Sequence, residues 1–118
     1  MPVDREGRLL SIEIEEQQGA TIVHLKGEVD LNVSPKLRAR LKELTSQKKP
    51  VIVMDMAGVP YIDSSGVATL VECLQSMSRY QGSLRLCSLT RRASGVFEIS
   101  RLDTVFRIYG SLEEALKA

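Results

Sequence analysis

A single α/β domain is predicted: a mixed, mostly parallel β-sheet with an N-terminal β-hairpin and about four α-helices. Three observations predict it. Near the start, Leu10, Ile12 and Ile14 alternate with Ser11, Glu13 and Glu15, and Thr21, Val23 and Leu25 alternate with Ile22, His24 and Lys26. Such period-two patterns mark strands. After this pair, strand-like and helix-periodic segments take turns, as they do where parallel strands are joined by helical crossovers. In the middle, the β-branched apolar run Val51-Ile52-Val53-Met54-Asp55 leads through a short loop to apolar residues spaced Val67, Leu70, Val71, Leu74 and Met77. The first reads as a buried strand, the second as one face of a helix.

Each element has its own signal. Residues 1–8 are charged and read as a loose tail, with the domain spanning 9–118. Gln17-Gln18-Gly19 turns the first strand into the second. Gly27-Glu28-Val29-Asp30-Leu31-Asn32-Val33 then leaves the sheet as a loop. Ser34-Pro35 reads as a helix start, with Ser as the cap and Pro at the first position, where its missing N–H costs nothing. Leu37, Leu41 and Leu44 give that helix its buried face, and Gln47-Lys48-Lys49-Pro50 ends it. The strand at 51–55 is apolar on both faces, as a central strand covered on both sides should be. The central helix is expected over about 65–80, stopping before Gly82. Leu84 and Leu86 flank Arg85 in the next strand. Thr90 can cap a short helix through Ala93, Val96 and Phe97. A last strand is expected at 105–109, followed by a helix that begins with a capping box, Ser111 with Glu114.

Totals bound the function. The 118 residues suit one domain with a core of its own. The 43% hydrophobic and 26% charged content is that of an ordinary soluble domain. A net charge of +1 gives no reason to propose nucleic acid as the partner. No stretch reaches the roughly 18 apolar residues that span a bilayer, and the first residues lack the apolar core of a signal peptide, so the cytoplasm is the expected compartment. Cys73 and Cys87 are expected to be buried reduced thiols.

The stretch that organises the chain is Val59-Pro60-Tyr61-Ile62-Asp63-Ser64-Ser65-Gly66-Val67. It lies where a strand has ended and a helix begins. Asp and Ser start helices because their side-chain oxygens accept from otherwise unpaired N–H groups. The partial positive charge of that first turn also favours an anion. A hydroxyl held there is exposed, and a phosphate placed on it is electrostatically tolerated. On local chemistry alone, ordinary capping explains Asp63-Ser64-Ser65-Gly66 equally well.

Other chemistries fit less well. A nucleophile elbow around Ser64 needs Gly two positions before it, where Ile62 stands, and a His after it, whereas the chain's one His is His24. His24, Cys73 and Cys87 have no metal-site spacing; no metal and no catalytic residue is expected. There is no phosphate-binding loop or dinucleotide fingerprint. Asp30, Asp55 and Asp63 are the carboxylates a glycosidase pair would draw on, but acidic residues are common on loops. Arg91-Arg92-Ala93-Ser94 has the look of a basic kinase site and reads more simply as a solvated helix start.

In sequence context these residues resemble the STAS domain of the anti-sigma factor antagonists. Gly27-Glu28-Val29-Asp30 matches that family's motif at the end of the second strand. Residues 53–67 are similar to its central strand, loop and D-S-[ST]-G helix start. Val96-Phe97-Glu98-Ile99-Ser100, Leu102-Asp103 and Val105-Phe106-Arg107-Ile108 follow its C-terminal pattern. The resemblance runs from about Leu9 to Leu116, with its motifs in order and in spacing. It implies a partner switch rather than an enzyme. An anti-sigma factor with serine-kinase activity phosphorylates the first hydroxyl residue after the motif's Asp, here Ser64; a PP2C-type phosphatase removes the phosphate. The unphosphorylated form binds the anti-sigma factor and thereby controls sigma-factor-dependent transcription. The implied partner-binding residues are Glu28, Asp30, Asp63, Ser64, Ser65 and Gly66, with Asp63 both capping the helix and positioning Ser64, and with Asp30 and the 28–34 loop bordering the docking surface. No cofactor and a monomer are expected. The alternative is a STAS adaptor subunit of an ABC-type phospholipid transport complex; a module of another signalling assembly is a third. Two departures stand out: Val67-Ala68 where many members have Leu-Gly, and Arg101 where Gly is common.

Overall fold

The computed structural model describes Val3 and residues 7–118. The elements run β1 (Ser11–Gln17), β2 (Ala20–Lys26), α1 (Ser34–Ser46), β3 (Val51–Gly58), α2 (Ser64–Ser78), β4 (Ser83–Cys87), α3 (Arg91–Ile99), a 3-10 turn (Leu102–Thr104), β5 (Arg107–Tyr109) and α4 (Leu112–Lys117). The sheet order is β1-β2-β3-β4-β5. The β1–β2 pair is antiparallel, and each later strand adds in parallel. The hairpin register pairs Gln17 with Ala20 across Gln18 and Gly19, both at positive φ (54° and 79°). That two-residue turn has the twist antiparallel strands require.

The two faces of the sheet are covered unequally. Ile52, Met54 and Met56 of β3 join Leu37, Leu41 and Leu44 of α1, Val67, Leu70, Cys73 and Met77 of α2, and Ala93 and Phe97 of α3 in one large core. Phe97 meets Phe106 edge to face, with centroids 5.5 Å apart. On the opposite face Val53 joins Ala20, Ile22, Cys87 and Ala115 under the short helix α4. Burial on both faces explains the near-continuous apolar run of β3.

Several boundaries differ from expectation. Val33, not Ser34, occupies the N-cap of α1, and Ser34 is buried in its first turn without a capping hydrogen bond. The turn is started instead by Asp30, whose carbonyl accepts from Val33 N and Ser34 N. Strand β3 runs on to Gly58 because Gly27 N donates to Gly58 O beyond a bulge between His24 and Lys26. Helix α2 starts one residue earlier and ends two earlier than expected. Its stop is made by Gln81 at φ 65°, with Gly82 N donating to Met77 O at 2.8 Å. This is the 6→1 bond of a Schellman end with Gln in the left-handed position. Gly82 serves a different need, since a Cβ there would lie 2.7 Å from Tyr80 Cε1. The last strand shortens to Arg107–Tyr109 because a 3-10 turn precedes it. Arg101 stands at φ 59°. The chain keeps the left-handed turn that a glycine would favour there. Of the expected tail at residues 1–8, Met1, Pro2, Asp4, Arg5 and Glu6 lie outside the described residues, while Val3 makes an antiparallel bridge with Leu9.

His24 ties three strands together beyond the reach of α4. Its Nδ1 lies 2.6 Å from Asp55 Oδ2 on β3 and its Nε2 lies 2.7 Å from Glu15 Oε1 on β1. A neutral imidazole donates from one nitrogen only, so both bonds are satisfied together only by the imidazolium. Hydrogen bonding to Glu15, and then the Asp55 carboxylate, raise its pKa above the ordinary value, against the opposite pull of partial burial. A folded pKa above the unfolded one means stabilisation that is complete below the ordinary imidazole range near about 6.5 and is lost as pH rises through the folded pKa. Denaturant unfolding across that window is expected to show the wild type losing stability relative to His24→Gln as pH rises; parallel pH profiles for the two would contradict the bridging role.

Candidate functional site

Two loops that leave adjacent parallel strands build the site. The chain after β2 and the chain after β3 pair again beyond the sheet. Val29 bridges Ile62 in parallel, Val29 N donates to Tyr61 O at 2.9 Å, and Asp63 N donates to Val29 O at 3.0 Å. This places the 27–34 loop against the start of α2. The second loop is also pinned to α3. Thr90 Oγ1 donates to Val59 O at 3.0 Å and caps Ala93 N, and the Arg92 guanidinium stacks 5.1 Å from the centroid of Tyr61.

Asp63 is the N-cap of α2. Its Oδ1 accepts from Ser65 N at 2.9 Å and from Gly66 N at 3.2 Å. The Ser65 hydroxyl donates to the same oxygen at 2.6 Å. Ser65 is half-buried and tied into the cap, whereas Ser64 is exposed. No hydrogen bond among the described residues engages the Ser64 hydroxyl. Of two adjacent serines, one serves the fold and the other is presented to solvent. Gly66 is buried against the paired loops: a Cβ there would lie 2.6 Å from Ile62 Cγ1 and 2.7 Å from Val29 Cγ1. The glycine is demanded by close approach, with no unusual φ involved. Ala68, one turn beyond Ser64, is exposed, so its methyl group projects from the same ridge.

The other residues of the implied partner-binding set are placed differently. Glu28 and Asp30 are only 5% and 4% exposed, so they lie beneath the surface they were expected to border. Asp30 Oδ1 accepts from Asn32 N at 2.9 Å, and Arg8 Nη2 lies 3.8 Å from Glu28 Oε2. The acidic residues organise the loop, which turns outward the side chains of Leu31, 72% exposed, and Asn32. The bond from Thr90 to Val59 O and the Arg92–Tyr61 stack are parts of the site that the sequence did not disclose. Tyr61 and Arg92 are thirty-one residues apart by numbering and meet only through the sheet order.

Among the described residues no imidazole or carboxylate is hydrogen-bonded to the Ser64 hydroxyl. Both His24 nitrogens face carboxylates. Burial pushes the Cys73 thiol up to about 12 and the Cys87 thiol up to about 11, so neither is a thiolate nucleophile near neutral pH. Among the described residues no three His, Cys, Asp or Glu side chains cluster to hold a metal ion, and no helix is long and apolar enough to cross a membrane.

Two substitutions test this construction. Asp63→Ala is expected to cost about 1 kcal/mol, the usual penalty for a lost helix cap. Gly66→Ala should raise helix propensity by about 1 kcal/mol, yet the crowding against Val29 and Ile62 is expected to cost about 1–3 kcal/mol. Chemical denaturation that shows Gly66→Ala to be the more stable protein would refute the close-approach account.

The model of the STAS domain family matches residues 11–115. The anti-sigma-B factor antagonist of Listeria monocytogenes is 31% identical over 100 residues, covering 84% of this chain and 88% of the relative. An anti-sigma factor antagonist from Mycobacterium paratuberculosis superposes with a TM-score of 0.85 at 21% identity, covering 92% of both chains. The Bacillus cell fate determinant SpoIIAA in its phosphorylated form superposes with a TM-score of 0.72 at 21% identity, covering 91% of this chain and 97% of that one. With the five-stranded mixed sheet, the helix start at Asp63–Gly66 and nearly the whole length matched, the chain belongs to the STAS domain family.

Proposed function

We propose that this chain is an anti-sigma factor antagonist, a non-enzymatic partner switch of the cytoplasm. With Ser64 unmodified it binds an anti-sigma factor that carries serine-kinase activity and so frees the sigma factor for transcription. Phosphorylation of Ser64 by that kinase releases the partner, and a PP2C-type phosphatase restores the binding form. The observation that carries this reading is the contrast between the two serines: Asp63 holds the Ser65 hydroxyl, while Ser64 stands exposed at the first position of α2. The relatives named as anti-sigma factor antagonists support it.

The physics of the switch follows from that position. A phosphate adds about −1.5 to −2 charges near neutral pH. On Ser64 they fall beside the Asp63 carboxylate and within reach of a partner surface that fits a neutral hydroxyl. Bringing that surface down would require desolvating the charge, so binding is lost through the contact itself. The fold survives because the first turn of a helix tolerates an anion and because the Ser64 side chain holds nothing in place. Glu28 and Asp30 support the switch from below by shaping the 27–34 loop.

The test is intact-mass analysis after incubation with ATP and the serine-kinase anti-sigma factors of the same genome, followed by site mapping. One phosphate on Ser64, removed by a PP2C phosphatase, is expected. Ser64→Ala should bind the anti-sigma factor as the wild type does and accept no phosphate. Ser64→Asp should weaken binding by about tenfold or more, equivalent to about 1.4 kcal/mol. Phosphate found mainly on Ser65, or equal affinity for Ser64→Asp by calorimetry, would overturn the assignment. A folded chain that no candidate kinase modifies, and that instead co-purifies with a permease and an ATPase, would make it a transporter adaptor.

A further inference from the structure

The basic run Arg91-Arg92-Ala93-Ser94 presents no accessible hydroxyl. Ser94 is half-buried within α3, its N–H is donated to Thr90 O, and its Oγ lies 3.4 Å from Glu98 Oε1. The two arginines occupy the first two positions of α3, behind the Thr90 cap, with no acidic residue in that turn. The positive end of a helix disfavours cations. Both arginines are exposed, and among the described residues neither makes an ion pair. Arg92 lies instead over the Tyr61 ring. Two routes bring its guanidinium to the neighbourhood of Ser64. Along the chain, Tyr61 lies three residues before Ser64 in the loop that enters α2, and the bond from Thr90 to Val59 O pins the start of α3 against that loop. Across the helices, Arg92 and Val96 are four residues apart on α3 and so share a face. Val96 and Ser64 line one cleft between α2 and α3. Arg92 therefore stands one helical turn, about 6 Å at 1.5 Å per residue, from a residue that shares a cleft with Ser64.

Resting on the reading of Ser64 as the phosphorylated residue, we infer that Arg92 is the counter-ion of that phosphate, and that it leaves the Tyr61 ring to take up this role. The chemistry of the groups favours the exchange. Over a partly exposed ring, a guanidinium gains only the attraction of the ring quadrupole. Two parallel N–H donors on a phosphate make a charge-assisted pair, which is stronger and matches the fork of arginine. The other charges about Ser64 leave the task to Arg92. Asp63 is adjacent and repels the phosphate. Glu72 lines the same cleft and is bridged to Arg38 and Lys42, which engages both of those cations. Arg91 is one position from Arg92 and so points about 100° away around α3. A phosphate carries about −1.5 to −2 charges near neutral pH, more than one guanidinium cancels, so the modified site stays anionic. Its shape changes as well: the phosphate is drawn toward α3, and the Tyr61 ring loses its cover.

Phosphoserine placed at position 64 during translation tests this without any kinase, so the result bears on Arg92 whether or not a kinase of the same genome modifies Ser64. The second ionisation of the phosphate is followed by phosphorus NMR. A guanidinium beside the phosphate favours its dianion, so Arg92→Gln is expected to raise that pKa by about one unit. Arg92→Lys, which keeps a charge, should recover part of the difference. An arginine that only pins the loop would leave the phosphate unmoved. Arg92 is exposed, so the variants keep the fold, and melting curves report that they do. In the unsubstituted chain the Arg92 Nε–H resonance should titrate together with the phosphate, a readout that needs no variant. Equal phosphate pKa values in the wild type and Arg92→Gln would overturn the inference, and so would a shift that only Arg91→Gln produces. A phosphate pKa that moves with Arg92, found together with undiminished binding of the anti-sigma factor by the phosphorylated chain, would keep the counter-ion and overturn the partner switch.

Discussion

The close approach of Val29, Ile62 and Gly66 is the contact on which the site depends. Two parallel strands end side by side, and the chains that leave them pair once more through the Val29–Ile62 bridge before they part. Gly66 lets the first turn of α2 settle onto that pair, since any larger side chain would push it away. Everything else at the site is placed by this. Asp63 reaches its capping position because its own N–H is held by Val29 O; Ser65 is drawn into the cap because Asp63 is fixed; and Ser64 faces outward because its neighbour faces in. The parallel sheet supplies the edge, and one missing Cβ supplies the fit.

The burial of Glu28 and Asp30 gives the acidic motif a different meaning from the one its sequence suggests. A run of acidic residues near a docking site invites an electrostatic explanation. Here the carboxylate of Asp30 closes a local turn onto Asn32, while its carbonyl starts α1. Both carboxylates are buried, and the loop exposes the apolar Leu31 beside the polar Asn32. The cleft beside Ser64 between α2 and α3 is lined in large part by the aliphatic side chains of Val67, Val71, Val96 and Leu102.

How much of this was legible in the sequence follows from how local each signal is. The hairpin, the buried face of α1, the cap at Ser111 and the start of α2 depend on residues within a few positions of each other, and periodicity or capping chemistry reports them directly. The Ser34 cap failed because Asp30, four residues earlier, starts the turn by another route. Helix α2 does stop before Gly82, but Gln81 adopts the left-handed conformation while the glycine is reserved for contact with Tyr80 and Met77. The His24 bridge joins β1, β2 and β3, and the Arg92–Tyr61 stack joins α3 to the loop after β3. Each needs the strand order before either partner can be named. Sequence pattern locates elements well; it does not say which distant side chains the sheet will bring face to face.

That the Ser64 hydroxyl makes no hydrogen bond among the described residues bears on the timing of the proposed switch as well as on its affinity. A group that stabilises nothing can be altered without a folding step, so no slow rearrangement stands between the chemical event and its effect. On the proposed reading of Ser64, the delay between modification and response would be set by how fast the modifying enzymes turn over and how long a partner resides on the surface. A position free of structural duty is also open to adjustment over generations, since exchanging one hydroxyl residue for another there leaves the rest of the molecule unchanged. Speed of response and ease of retuning thus have a common origin in a side chain that the fold does not use.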